Sequence, residues 1–168
     1  MLALILLTLG IVSRCIFHAP NFTPVIAIVL FSGIYLERKY AVLLPLALMI
    51  ISDVMIGFYD GIVFTWLAVL GCAYIGLWVR NHKNLRAMFA GSLLASFVFF
   101  LISNFGVWAS GYYGYSGHGL VNCFVAAIPF YRDTLASTLI YGFVLFGIYE
   151  WVALKVKGTQ LARVLLKA

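Results

Sequence analysis

Charge is what this 168-residue chain has least of: five acidic and eleven basic residues make up 10% of it, against 65% hydrophobic residues. With a mean hydropathy of +1.09, there is too little polar side chain to solvate a globule of this size. That excludes an ordinary soluble domain and leaves one integral membrane domain. Cysteine is scarce and odd in number, at Cys15, Cys72 and Cys123. No disulfide framework is implied, although Cys15 and Cys123 could meet outside the membrane. Also missing are G-x-x-x-x-G-K-[ST], G-x-S-x-G and H-E-x-x-H, which removes nucleotide hydrolysis and the recognisable hydrolases; the chain reads as no enzyme, without cofactor. A proton relay needs a succession of intramembrane carboxylates, and only Asp53 qualifies, so self-contained active transport is not expected. The net charge of +6 would suggest nucleic acid in a soluble protein. Here the basic residues sit where helices leave a bilayer, so the partner is membrane lipid and not nucleic acid.

What is there is a series of apolar runs, roughly Leu2 to Phe17, Phe22 to Leu36, Ala41 to Phe58, Ile62 to Val79, Ala87 to Ala109 and Thr134 to Leu154. A spanning helix needs about 20 apolar residues, or about 17 at the short end, so the first two are marginal and the others comfortable. Threaded in alternation, they put Arg38, Lys39, Arg80, Lys83, Arg86, Lys155, Lys157, Arg163 and Lys167 on one side and only Arg14 and Arg132 on the other. Basic short loops stay cytoplasmic. The expectation is an all-α integral bundle of about six transmembrane helices in the cell's inner (cytoplasmic) membrane, both termini cytoplasmic. Residues 1–154 form the transmembrane domain, and 155–168 a basic amphipathic tail on the inner leaflet. The first run has no basic n-region and no A-x-A cleavage site, so it reads as a retained helix and not a signal peptide.

Few polar residues fall within the runs, and each is a candidate site. Asp53 lies about five residues from the outer end of the third helix, roughly 7 or 8 Å below the surface. Asn104 holds the same depth on the fifth. Arg132 and Asp133 open the sixth helix at that face, with Thr134, Ser137 and Thr138 continuing a polar stripe inward. Two readings stay open. Asp53 can pair with Arg132 while Asn104 hydrogen-bonds between helices, or these groups can line an outward cavity that orients a small polar ligand.

The segment Trp108 to Gly119 interleaves glycines with Trp108, Tyr112, Tyr113 and Tyr115, as a lid over a ring-shaped solute would, or as an interfacial aromatic belt would. The run 121–131, ended by Pro129, is too short to span and reads as a short surface or re-entrant helix. Between Arg14 and Pro24 two prolines fix a stiff corner that could present His18 and Asn21 to the same mouth. Cys15, His18, His118 and Cys123 are zinc-ligand types, but their spacing matches no standard pattern and no metal is assigned. Ala87, Gly91 and Ala95, and likewise Ala68, Cys72 and Gly76, recur every four residues and suit close helix packing.

The strings Asn21-Phe22-Thr23-Pro24, Leu30-Phe31-Ser32-Gly33, Leu44-Pro45 through Ser52-Asp53, Ser103-Asn104-Phe105-Gly106-Val107-Trp108 and Ala126-Ala127-Ile128-Pro129-Phe130 resemble a family of small uncharacterised bacterial membrane proteins. That family in turn resembles the substrate-binding S components of energy-coupling-factor vitamin transporters. The resemblance implies an outward pocket for a vitamin or related micronutrient, and docking onto a transmembrane coupling subunit driven by two ATPases. By position it makes Asn21, Asp53, Asn104, Trp108, Tyr112 and Arg132 pocket candidates. The chain departs from S components in lacking an A-x-x-x-A docking pattern on its first helix, and it lacks the N-terminal His of the nickel and cobalt members, since residue 2 is Leu. The alternative is a small accessory or structural subunit of a larger membrane complex, such as a bioenergetic one, whose small-residue faces contact other subunits.

Overall fold

A computed structural model describes residues 1–16, 21–82 and 84–157. The described chain is helical: α1 (Leu2–Cys15), α2 (Val25–Tyr35), α3 (Arg38–Ile56), α4 (Ile62–Val79) continued by a 3₁₀ turn (Arg80–His82), α5 (Leu85–Ala109) and α6 (Gly117–Val156). Four segments, α3, α4 with its 3₁₀ turn, α5 and α6, are long and apolar enough to cross a membrane; α1 and α2 are shorter.

The short α2 organises the rest. Its sequence, VIAIVLFSGIY, is apolar all round, which suits a helix with no solvent-facing side. Every residue from Val25 to Ile34 is buried, and α2 packs against each of the other five helices. At 1.5 Å per residue it is about 16 Å long, half of a hydrocarbon core about 30 Å thick. The bundle around it is longer, so α2 fills one half of the interior and leaves the other half open.

Glycine sets how closely α2 approaches α4. A Cβ on Gly33 would stand 2.6 Å from the Ala73 carbonyl oxygen, and one on Gly76 would stand 2.5 Å from that of Leu30. Backbone meets backbone there, and any side chain would force the helices apart. The small-residue stripes of α4 and α5 meet each other, with Cys72 Sγ donating to the Ala95 carbonyl at 3.3 Å and Gly91 packed on Val79. At the C-terminal end of α2, Arg80 Nε donates to the carbonyls of Gly33 (3.1 Å) and Ile34 (3.2 Å), which satisfies groups a helix end otherwise leaves orphaned. Beside it Phe31, Tyr35, Phe146 and Tyr149 form an aromatic cluster, and the Tyr35 hydroxyl donates to Glu150.

The largest departure from expectation is α6. Residues 121–131 form no separate helix: they belong to one helix of 40 residues that passes through Pro129. Proline is tolerated inside membrane helices because neighbouring helices and Ser or Thr side chains reorganise the local bonding. The Thr134 hydroxyl donates to the Phe130 carbonyl at 2.9 Å just beyond it. α6 runs antiparallel down α5: Cys123 Sγ reaches the Asn104 carbonyl, Phe124 packs on Phe100, Tyr131 on Phe97 and Phe100, and Phe143 on Phe89. Since Phe97 is the midpoint of α5, Arg132 and Asp133 lie halfway down that helix and not at its outer end. Cys15 is exposed and Cys123 is buried against α5, and neither is in a disulfide. Of the basic tail, residues 158–168 lie outside the described residues, as do His18 and Lys83.

Candidate functional site

Where α2 stops short, a cavity of about 420 Å³ opens at the end of the bundle that carries the α1–α2 and α3–α4 connections. The first residues of α2, Val25 and Ile26, help to close it, with Val69 of α4. Phe99, Phe100 and Val107 of α5 and Phe130 and Tyr131 of α6 give it an aromatic and aliphatic wall. Thr65, Ser103, Asn104, Thr134 and Ser137 add polar groups, and Asn21, Thr23, Tyr59 and Asp60 come from the connections. A mostly apolar concavity with a few placed polar groups is the usual form of a small-molecule site, and this volume is within the usual range.

Two details of the connections shape this end. Asn21 has φ +61°, a left-handed conformation that asparagine accepts far better than a branched residue. Gly61, also left-handed at φ +81°, lies against the Gly106 carbonyl, so that a Cβ would come within 3.1 Å of it. The close approach at Gly61 holds the α3–α4 connection against α5.

On one side of the cavity stands an ion pair. Arg14 Nη2 donates to Asp53 Oδ1 at 2.6 Å, and Trp66 Nε1 donates to Asp53 Oδ2 at 2.7 Å. Both carboxylate oxygens are therefore engaged, which a fully buried carboxylate requires. Arg14 Nη1 points at the Met49 sulfur, 2.8 Å away. Arg14 and Met49 line the cavity, whereas Asp53 and Trp66 do not.

Three of the lining hydroxyls are committed to their own helices: Ser103 donates to the Phe99 carbonyl (2.6 Å), Thr134 to that of Phe130 (2.9 Å) and Ser137 to that of Thr134 (3.0 Å). Each presents oxygen lone pairs as acceptors. Asn104 Nδ2 donates to the Phe100 carbonyl at 2.8 Å.

Of the residues singled out by sequence, Asn21, Asn104, Thr134 and Ser137 line the cavity. Asp53 stands behind Arg14, paired with it and not with Arg132. Trp108 is half-buried; its indole N–H donates to the Ser116 carbonyl at 3.3 Å and its ring packs on Phe105 and Tyr115. Tyr112 is 81% exposed and rests on Tyr113. Arg132 is exposed on α6. None of the last three lines the cavity, because α6 turns Arg132 outward and the Trp108 to Tyr115 aromatics pack among themselves. Sequence reasoning passed over Arg14, Met49, Tyr59, Thr65 and Tyr131. Arg14 had a signal, as one of only two cations assigned to the outer side.

The chain belongs to the DUF6580 family. Its model, described as a family of unknown function, matches residues 1–161. No curated protein and no solved structure matches the chain. Membership in DUF6580 therefore covers the whole helical bundle and brings no activity with it.

Proposed function

We propose that this DUF6580 member is a substrate-binding membrane component, similar in kind to the S components of energy-coupling-factor transporters, that serves uptake of a vitamin or related micronutrient. The observation that carries the reading is the cavity above α2, which is large enough for a single ring system and lined by aromatic walls with separated polar groups. The charge bias supports its direction. Arg38, Lys39, Arg80 and Arg86 belong to the opposite end of the bundle from the cavity, so a cytoplasmic basic side turns the cavity outward. Both termini are then cytoplasmic and the membrane is the inner one. The chain holds the solute, and a coupling subunit with its ATPases supplies the energy, since the chain has no motif for nucleotide hydrolysis.

The test is uptake of a pool of isotopically labelled vitamins by cells that make the wild-type chain or Ser103→Phe, whose ring occupies the cavity. Accumulation of one labelled compound in the wild type, lost in the variant, is the expected result. Equal accumulation of every compound in both strains would overturn the reading.

A further inference from the structure

Resting on the cavity's reading as a ligand site, we infer that its ligand carries a carboxylate, or a comparable anionic oxygen, that binds Arg14. Arg14 lines the cavity while its counter-ion Asp53 is fully buried and does not. The other charged lining residue, Asp60, is exposed in the α3–α4 connection. The charged lining residue away from that exposed connection is therefore Arg14. Arg14 is also under-used. One of its N–H groups is directed at the Met49 thioether, a weak acceptor, and Met49 itself lines the cavity. A ligand oxygen at Arg14 Nη1 would replace that weak contact with a charge-assisted bond.

The start of α2 favours the same sign. Val25 and Ile26 line the cavity, and Pro24, at the N-cap, has no side-chain acceptor to offer the first-turn N–H groups. Phe100, Phe130 and Tyr131 add flat apolar surface. The ligand class is an aromatic or similarly planar carboxylate.

The experiment uses the full-length protein in lipid nanodiscs and reads thermal stabilisation by matched pairs: benzoate and benzamide, nicotinate and nicotinamide, 2-naphthoate and 2-naphthamide. At least one carboxylate should bind about tenfold tighter than its amide, the worth of one charge-assisted hydrogen bond. Met49→Gln, close in shape to methionine, offers Arg14 a carbonyl acceptor and should weaken that carboxylate about tenfold. The substitution leaves both members of the Arg14–Asp53 ion pair in place. Amides binding as well as carboxylates would overturn the anionic assignment and leave the cavity reading standing. Binding by no member of either class would overturn both.

A second observation stands apart from the cavity. Arg132 and Asp133 are both exposed on α6, level with the midpoint of α5, and among the described residues neither is in an ion pair. Charges at that depth on a lipid-facing surface are strongly unfavourable and call for a partner. The geometry points to a second copy of this chain. A two-fold axis along the membrane normal keeps equal depths together, so Arg132 of each copy meets Asp133 of the other and both charges are neutralised. Val121, Val125 and Ile128, all more than half exposed, continue the face of Arg132 at helical spacing and would extend the contact.

The test is subunit counting by single-molecule photobleaching of the full chain in nanodiscs formed at high lipid excess. The wild type should be dimeric, Arg132→Asp and Asp133→Arg each monomeric, and Arg132→Asp/Asp133→Arg dimeric again. A monomeric wild type, a dimer indifferent to the single changes, or stoichiometric binding of a different protein through this face would overturn the inference.

Discussion

Arg14 Nη2 lies 2.6 Å from Asp53 Oδ1 and fastens α1, which packs chiefly on α3, to the wall of the cavity. Removing one partner leaves the other charge unanswered. Asp53→Ala should lower stability by about 3–5 kcal/mol, while Arg14→Met/Asp53→Leu, which removes both charges and keeps the volume, should cost less than the single change. Denaturant unfolding in detergent micelles measures both. A double variant less stable than Asp53→Ala would contradict the account.

Trp66 contributes to the same carboxylate through its indole N–H. Trp66→Phe keeps an aromatic ring and deletes the donor, and should cost about 1.5–3 kcal/mol, the range for a hydrogen bond to a charged group. Combined with Asp53→Ala it should cost much less than on its own. Additive losses in that double-mutant cycle would show that Trp66 acts by packing alone.

The α2–α4 contact can be tested with methyl groups. Gly33→Ala and Gly76→Ala each push a Cβ onto facing backbone and should each destabilise by about 1–3 kcal/mol or more. Gly147→Ala on α6, where a Cβ meets nothing within 4 Å, should be neutral or slightly stabilising. Comparable melting temperatures for all three would contradict the packing described.

The left-handed backbone at Asn21 makes a prediction about residue type. Asn21→Gly should fold as well as the wild type, whereas Asn21→Val should lose roughly 1–2 kcal/mol. Because Asn21 lines the cavity, the glycine variant separates its side chain's part in ligand binding from its part in folding. Equal stability of the valine and glycine variants would argue against the connection's geometry.

The apolar helical runs were legible because apolar length is a strong signal, and four of the described segments are long and apolar enough to span a membrane. Both facts that make α2 central, its brevity and its lack of a polar face from Val25 to Ile34, were also visible in the sequence. Their consequence was not, because a cavity arises from what α2 fails to fill once the longer helices surround it. Pro129 misdirected the reading of α6. A proline normally ends a helix in water, and here the helix continues, carrying Arg132 to mid-depth and away from Asp53. Arg14 was counted only as an outer-side cation because nothing in spacing reveals that α1 packs on α3 at the level of Asp53. The paired small residues of α4 and α5 were legible as packing faces, and the contact between Cys72 and Ala95 identifies their partners as each other.

The most direct measurement of the central claim is native mass spectrometry of the chain gently extracted from its host membrane, compared with Ser103→Phe prepared in the same way. The account predicts a small molecule retained by the wild type and absent from the variant. A wild-type chain that carries no small molecule and instead leaves the membrane in fixed stoichiometry with other protein subunits would contradict it and make the chain an accessory subunit.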